Sequence, residues 1–203
     1  MERGRKRAAF TITRCAVLSA LAMALYAVVI PVVAFFRLDL STLPAILAGF
    51  AMGPVQGLFV VIVKNLLHMP ATDSAFVGEL ADMLMSGAFV AAAGLLYARD
   101  RTRRGAYRAL AAGTAAMTVT GILTNYFVLI PAYQTLMGMP AEAILAMGAA
   151  VHPWIDSMEK LAVCVAGPFN LFKGGVLSAV TAGVYKRVSP LLRAARTTER
   201  KPM

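Results

Sequence analysis

Long apolar runs separated by short polar segments dominate the 203-residue chain. Four of these runs reach about 20 residues or more, the length that a helix needs to cross a bilayer core of about 30 Å. They cover residues 10–33, 76–97, 109–131 and 161–186. The pattern is typical of helices embedded in a membrane, and it predicts an all-α integral membrane protein.

A further apolar stretch, Leu43–Met69, contains the dipeptide Gly53-Pro54 near its middle. Proline is favoured in the first turn of a helix, where its missing N–H is not needed. We therefore predict that one helix ends before Gly53 and that another begins at Pro54, which gives six transmembrane helices rather than five. The two segments rise only about 18 and 22 Å, so other helices and outer loops must shield their ends.

Basic residues are concentrated in three segments, residues 1–14, 98–108 and 186–203, which hold 16 of the 20 lysines and arginines. Short loops rich in Lys and Arg stay on the cytoplasmic side of a membrane, and only the six-helix interpretation places all three segments there. We therefore predict that both termini are cytoplasmic. This segregation, with only 15% charged residues, argues against nucleic-acid binding as the reason for the net charge of +10.

The domain organisation follows from the same pattern. A basic cytoplasmic N-terminal tail (residues 1–9) precedes a six-helix membrane domain (10–187), and a basic cytoplasmic C-terminal tail (188–203) follows it. The first apolar run has no small-residue cleavage site, so we expect an uncleaved first span. The outer face is then formed by the connections 35–41, 68–75 and 131–160, of which the last is expected to carry short helices.

Motifs for catalysis or energy conversion are absent from the sequence. It contains no Walker A, HExxH or GxSxG motif. Cys15 and Cys164 lie inside apolar runs without the spacing of a zinc site or a disulfide framework. Ser157, His152 and Asp156 are the residues from which a Ser-His-Asp set would be built, but this crowding is typical of a solvated loop helix. The sequence favours a binding subunit, without metal or cofactor, over an enzyme.

Several polar and charged side chains lie at membrane depth near the outer ends of the predicted spans, where a charge costs at least about 2.5–3.5 kcal/mol. They are Lys64, Asn65, Glu79, Asp82, Asn125, Asn170 and Lys173. Asn170 and Lys173 share one helix face. We predict a polar binding pocket open to the outside. Lys173 has a second interpretation, as a structural partner of Glu79 or Asp82, and Lys64 is expected to snorkel to the interface.

The first span places Ala16, Ala20 and Ala24 four residues apart, and therefore on one helix face. A face of small residues allows another helix to approach closely in lipid. The stripe predicts either a docking face for a partner or close packing within the chain.

Six short motifs, in a consistent order between about residues 10 and 187, carry a resemblance to a known family. They begin at Arg37 (RLDLSTLPA), Gly49 (GFAMGP), Val63 (VKNLLH), Gly78 (GELAD), Thr124 (TNYF) and Pro168 (PFNLFKG). The chain resembles the riboflavin-binding S component of bacterial energy-coupling factor (ECF) vitamin transporters. One departure is Asp82, where the family pattern leads us to expect asparagine.

The resemblance implies a substrate-capture subunit that binds riboflavin from the outside with high affinity and has no ATPase activity of its own. Delivery of the vitamin for ATP-driven uptake implies docking on a transmembrane T subunit that carries two ATP-binding cassette ATPases. Ala16, Ala20 and Ala24 match the docking pattern of the family. The implied location is the bacterial cell membrane.

The candidate site residues suit the chemistry of a flavin. The imide edge of isoalloxazine has one donor between two carbonyl acceptors, which Asn125, Asn170 and Lys173 can match. Partners for the ribityl hydroxyls are expected to be Asp39, Thr42, Asn65 and Glu79, with Asp82 nearby. Apolar cover for the ring is expected from Leu40, Leu38, Phe36, Tyr126 and Trp154.

Other ligands and functions stay open on the sequence alone. The predicted outer side is net negative, which favours riboflavin over flavin mononucleotide. An S component for another vitamin, pantothenate or thiamine, is the first alternative. A small intramembrane enzyme that uses His152, Asp156 or Glu159 is the second, although no spacing supports it.

Overall fold

The computed structural model describes the backbone of residues 2–33, 36–72 and 74–200, and the side chains of these except 2–4, 6–7, 33 and 186–200. The predicted tails (1–9 and 188–203) and the connections 35–41 and 68–75 therefore fall partly outside the described residues.

Helices account for most of the described chain. In chain order they are α1 (Glu2–Tyr26), α2 (Leu43–Ala51), α3 (Pro54–His68), α4 (Val77–Arg99), α5 (Arg103–Thr124), α6 (Ile130–Leu136), α7 (Ala141–Ala149), α8 (Met158–Leu161) and α9 (Gly167–Arg200). A 3₁₀ turn, Met69–Ala71, follows α3. Two π-helical turns, Asn125–Leu129 and Ala162–Ala166, join α5 to α6 and α8 to α9.

A β-hairpin is the exception to the predicted all-α fold. Its strands, β1 (Ile30–Val33) and β2 (Phe36–Leu38), pair antiparallel with Ile30 opposite Leu38. The prediction that the first span reaches residue 33 was wrong, because α1 ends at Tyr26. The segment after α1 is rich in β-branched residues, which favour strands, and Pro31 cannot continue a helix.

The predicted break at Gly53-Pro54 is confirmed, since α2 ends at Ala51 and α3 begins at Pro54. Gly53 has φ +125°, a conformation that suits glycine because it has no Cβ. At 1.5 Å per residue, α2 and α3 rise only about 14 and 22 Å. Neither is among the four described helical stretches that are long and apolar enough to cross a membrane: Ala8–Tyr26, Val77–Arg99, Arg103–Leu136 and Met158–Tyr185.

The other spans are longer than predicted. The π-helical turn at Asn125–Leu129 lets the helical path from α5 continue into α6. In the same way α8 leads into α9, which runs to Arg200 and so enters the predicted C-terminal tail. The long connection contains α7, as expected, whereas the segment around His152 forms turns instead of a helix.

Glycine allows the short helices to pack tightly. A Cβ added at Gly57 on α3 would lie 2.6 Å from Val90 and 2.8 Å from the Ala45 carbonyl oxygen. Three helices, α2, α3 and α4, thus meet with almost no space between them. Such close approach is how helices in lipid gain packing energy, and it holds α2 and α3 against the longer α4.

One side of α1 packs against the protein and the other does not. Cys15, Ser19 and Ala22 are buried, while Ala16, Ala20 and Ala24 are all exposed. The alanine stripe is therefore not used for packing within the described chain.

Candidate functional site

A cavity of about 250 Å³ lies at the end of the bundle where α3 ends and α4 begins, opposite the arginine-rich connection between α4 and α5. We call this the site end. Its polar lining includes Asp39, Glu79, Asp82, Asn125, Asn170 and Lys173. These side chains come from the segment after β2, from α4, from the turn after α5 and from α9, so the cavity exists only where all of these elements meet.

Five side chains form a closed circuit of polar contacts, which we call the charged ring. Lys64 Nζ contacts Asp82 Oδ2 at 2.8 Å and donates to Ser41 Oγ at 2.6 Å. The Ser41 hydroxyl donates to Asp39 Oδ1. Lys173 Nζ donates to Asp39 Oδ2 at 2.8 Å and lies 3.6 Å from Asp82 Oδ1, which closes the circuit. The ring joins α3, α4, α9 and the connection that leads into α2.

All five members of the charged ring are buried, Lys64 with an exposed fraction of only 1%. Two lysines and two aspartates balance each other, which is the condition under which buried charges are tolerated. Asp82 also accepts hydrogen bonds from Ser86 at 3.0 Å and from Asn65 at 3.1 Å. Each oxygen of the Asp82 carboxylate therefore faces two donor groups of the protein.

Asp39 lies outside the spanning helices, in the connection between β2 and α2. Burial by itself raises the pKa of its carboxyl group, but the ammonium groups of Lys173 and Lys64 more than offset that effect. The pKa of Asp39 therefore lies below its ordinary value, and the side chain is a carboxylate at neutral pH.

Asn125 and Asn170 line the cavity, and each has a buried side-chain acceptor without a donor. Asn125 Nδ2 donates to the Gly121 carbonyl at 2.7 Å, and Asn170 Nδ2 donates to the Ala166 carbonyl at 2.8 Å. These bonds fix the amide orientation, because the reversed amide would place two oxygens against each other. Both Oδ1 atoms are buried and accept no hydrogen bond from the described residues. A buried acceptor without a donor is costly, so the cavity suits a ligand with donors at these positions.

The helices around the two asparagines are locally unusual. Asn125 begins one π-helical turn, and Ala166, the partner of Asn170, ends the other. Single π-helical turns within α-helices are rare and are frequent at functional sites. Gly121 brings α5 close to α9, since a Cβ there would lie 2.4 Å from Asn170 Nδ2. The position of the Asn170 amide thus depends on this glycine.

Glu79 is held by a separate set of contacts. His68 Nδ1 lies 2.7 Å from Glu79 Oε1, and the hydroxyls of Thr72 and Ser74 donate to Oε2 at 2.9 and 3.3 Å. Tyr26 packs edge-on against the His68 ring, with centroids 4.1 Å apart. Glu79, His68 and Ser74 all line the cavity, so this set forms a second polar wall.

The apolar wall consists of aromatic, aliphatic and thioether side chains. The rings of Phe36 and Phe169 are in contact, with centroids 4.9 Å apart. Leu129 and four methionines, Met85, Met137, Met139 and Met147, complete this wall. Methionine adapts its shape and makes favourable contacts with aromatic rings. The wall is suited to a flat aromatic ligand.

The structure divides the predicted ligand-binding residues into two groups. Asn170, Lys173, Asn125, Glu79, Asp39 and Asp82 line the cavity. Asn65, Thr42 and Leu40 lie behind its wall: Asn65 contacts Asp82, Thr42 contacts Ser86 at 2.8 Å, and Leu40 packs against the apolar core. Of the predicted ring-covering residues Phe36 lines the cavity, whereas Leu38, Tyr126 and Trp154 do not.

Two predictions about lysines need correction or completion. Lys64 does not snorkel to the interface, because Asp82 on α4 provides a carboxylate 2.8 Å away inside the protein. Lys173 fits both interpretations: it lines the cavity and also pairs with Asp82, but its closer partner, Asp39, was not foreseen. Ser41 and His68 were missed as well, although His68 follows Lys64 by one helical turn.

The residues considered for catalysis are engaged elsewhere. Asp156 pairs with Lys160 at 2.6 Å, and this hydrogen bond lowers the pKa of Asp156. The Ser157 hydroxyl accepts from the Lys160 backbone N–H at 3.3 Å, and Glu159 accepts from Tyr126 at 3.2 Å. His152 Nδ1 accepts from the Trp154 backbone N–H. Within the described part of the chain, these side chains form no catalytic set.

A family model and two riboflavin transporters match most of this chain in sequence. The family model described as "ECF transporter, substrate-specific component" matches residues 10–185. The riboflavin transporter FmnP of Bacillus subtilis (strain 168) is 30% identical over 168 residues, which cover 80% of this chain and 82% of that protein. The riboflavin transporter RibU of Staphylococcus aureus (strain TCH60) is 30% identical over 159 residues, or 78% of each chain.

Solved structures extend the similarity to three dimensions. The S component of a bacterial ECF transporter superimposes with a TM-score of 0.71 at 31% identity, covering 90% of this chain and 96% of that one. ThiT from Listeria monocytogenes gives a TM-score of 0.60 at 16% identity, covering 92% of this chain and 98% of that one, and so shares the fold alone. The described cavity, the spanning helices and the family match over residues 10–185 together show that this membrane protein belongs to the substrate-specific components of ECF transporters.

Proposed function

We propose that the chain captures riboflavin at the site end and delivers it for ATP-driven uptake. In this proposal it lies in the bacterial cell membrane with six transmembrane helices, both termini cytoplasmic and the site end outside. The partners are an ECF transmembrane T subunit and two ATP-binding cassette ATPases. The observation that carries the choice of ligand is that two asparagines with buried acceptors that lack donors line the same cavity as Lys173 and the aromatic rings of Phe36 and Phe169.

The donors and acceptors of the cavity complement an isoalloxazine ring. The ring imide N–H can donate to the Oδ1 of Asn170 or Asn125, and a flanking carbonyl can accept from Lys173. The Lys173 ammonium has three N–H groups, of which Asp39 and Asp82 face two. The apolar face of the ring then lies against Phe36 and Phe169, and the ribityl hydroxyls reach Glu79.

Charge separates riboflavin from the alternatives. Lys64 and Lys173 are both paired with carboxylates inside the protein. Three carboxylates, Asp39, Glu79 and Asp82, line the cavity with two cations, Arg37 and Lys173. The carboxylate of pantothenate or the phosphate of flavin mononucleotide would add another anion to this lining, at a cost in affinity. Riboflavin is neutral and does not lose affinity in this way. The thiamine alternative has no comparable support.

The central test is direct binding. Protein purified from cells grown in rich medium is expected to be yellow, with flavin absorbance. After the ligand is removed, titration calorimetry should show tight one-to-one binding of riboflavin, and a thermal-shift panel should show weaker stabilisation by pantothenate, thiamine and flavin mononucleotide. Stripped protein that gives neither heat nor flavin quenching would contradict the proposal.

A glycine substitution tests the placement of the ring edge. In Gly121→Ala the new methyl group would lie 2.4 Å from Asn170 Nδ2, so the amide must move. Loss of a hydrogen bond to a buried group costs about 1–3 kcal/mol, so we expect riboflavin affinity to fall about 10-fold to 100-fold. Fluorescence quenching measures this change.

Gly175→Ala is the matched control, because a Cβ there has no neighbouring atom within 4 Å. It is expected to leave riboflavin affinity unchanged. Equal affinities for Gly121→Ala and Gly175→Ala would remove Asn170 from the proposed site.

A further inference from the structure

Within the charged ring, the Asp82 carboxylate lies between two lysines. Its Oδ2 contacts Lys64 at 2.8 Å, and its Oδ1 lies 3.6 Å from Lys173. Lys64 does not line the cavity, but Asp82 and Lys173 both do. Asp82 therefore stands between the cavity and a buried positive charge.

We propose that Asp82 makes this pocket selective for a neutral, oxidised flavin by cancelling the charge of Lys64, so that Lys173 acts as a hydrogen-bond donor rather than as an anion site. The inference rests on the proposed capture of riboflavin. It assigns Asp82 a positioning and charge-setting role instead of direct recognition of the ribityl chain, because every close contact of its carboxylate is with a protein donor.

The redox state of the ligand is the property that this charge balance controls. Reduction of isoalloxazine adds two electrons and one proton at N5, and the resulting anionic hydroquinone carries its negative charge over N1 and the adjacent carbonyl. Protein charges near these atoms tune the stability of the reduced form. Because the charged ring has no net charge, it does not stabilise the anionic form. Without Asp82 the charged ring would be net positive and would stabilise the anionic form.

The electrostatic effect of Asp82 is strengthened by burial. Asp82 is 5% exposed and Lys64 is 1% exposed, so little water screens their charges. The compensating acidic residue on the other side of Lys173 is Asp39, which also faces Ser41. Removal of Asp82 alone therefore leaves two cations and one carboxylate in the charged ring.

The test measures the midpoint potential of bound riboflavin by spectroelectrochemistry at constant pH. In Asp82→Asn we expect the reduced form to bind about tenfold more tightly relative to the oxidised form than in the wild type, a positive shift of about 30 mV for a two-electron couple. The double variant Lys64→Met, Asp82→Asn restores neutrality and should return the potential to the wild-type value. Asp156→Asn, which removes an exposed carboxylate, should leave it unchanged.

The single variant Lys64→Met gives an opposite prediction and covers the case in which Asp82→Asn does not fold. This variant makes the charged ring net negative, so the midpoint potential of bound riboflavin should shift in the negative direction. An unchanged potential in Asp82→Asn with riboflavin bound, or a shift that persists in the double variant, would overturn the inference. Absence of riboflavin binding by the wild type would instead overturn the proposed function.

Discussion

Lys173→Met is expected to abolish high-affinity riboflavin binding and to destabilise the protein by about 3–5 kcal/mol, because it leaves the buried Asp39 carboxylate without its cation. Lys173 donates to Asp39 at 2.8 Å and also faces Asp82. Its loss removes the proposed donor to the flavin carbonyl and opens the charged ring at the same time. Riboflavin titration and thermal unfolding in detergent measure the two effects separately.

Lys160→Met is the matched control, since Lys160 also pairs with an aspartate but is 38% exposed. Exposed ion pairs contribute little to stability, and Lys160 does not line the cavity. We expect neither affinity nor thermal stability to change. Asn170→Ala, which leaves the charged ring intact, should weaken binding without comparable destabilisation. Wild-type affinity in both Lys173→Met and Asn170→Ala would exclude the proposed site.

Ala20→Trp is expected to abolish partner association and riboflavin uptake while riboflavin binding by the isolated subunit stays intact. Ala20 is exposed together with Ala16 and Ala24, and Ala22 is buried on the opposite side of α1. An indole on this face would prevent the close helix approach that a small-residue stripe permits. Co-purification with the T subunit and uptake by whole cells measure the loss.

Ala111→Trp provides the control for this substitution. Ala111 is an exposed alanine on α5, away from the alanine stripe. It should retain partner association, uptake and binding. Normal uptake by Ala20→Trp would show that the stripe is not the docking face, and loss of uptake by Ala111→Trp as well would show that the effect is not specific to α1.

Local rules predicted much of the fold because they depend on neighbouring residues. Gly53-Pro54 divides α2 from α3 since the glycine takes a positive φ and the proline starts a helix. The end of α1 at Tyr26 was missed because hydropathy alone does not distinguish an apolar strand from an apolar helix. The strand that follows, β1, is apolar and rich in β-branched residues, and it continues the hydrophobic run without a polar boundary.

The candidate site was predictable in composition and unpredictable in pairing. Charge at membrane depth identified Lys64, Glu79, Asp82 and Lys173. The partner of Lys173 is Asp39, 134 residues away in sequence, and no local pattern connects two positions so distant. Lys64 was misassigned for the same reason: a lysine near the end of an apolar run snorkels unless another helix offers a carboxylate.

The closure of the charged ring has a consequence for the synthesis of the protein. Asp39 and Ser41 precede α2, whereas Lys173 lies in α9, which leaves the ribosome after α2, α3 and α4. Asp39 therefore enters the membrane before Lys173, its direct cationic partner, and the cavity is complete only after α9 has packed against the earlier helices. In the proposed function riboflavin stabilises that completed arrangement by binding to it, so a subunit that holds the vitamin would also be one whose membrane assembly is finished.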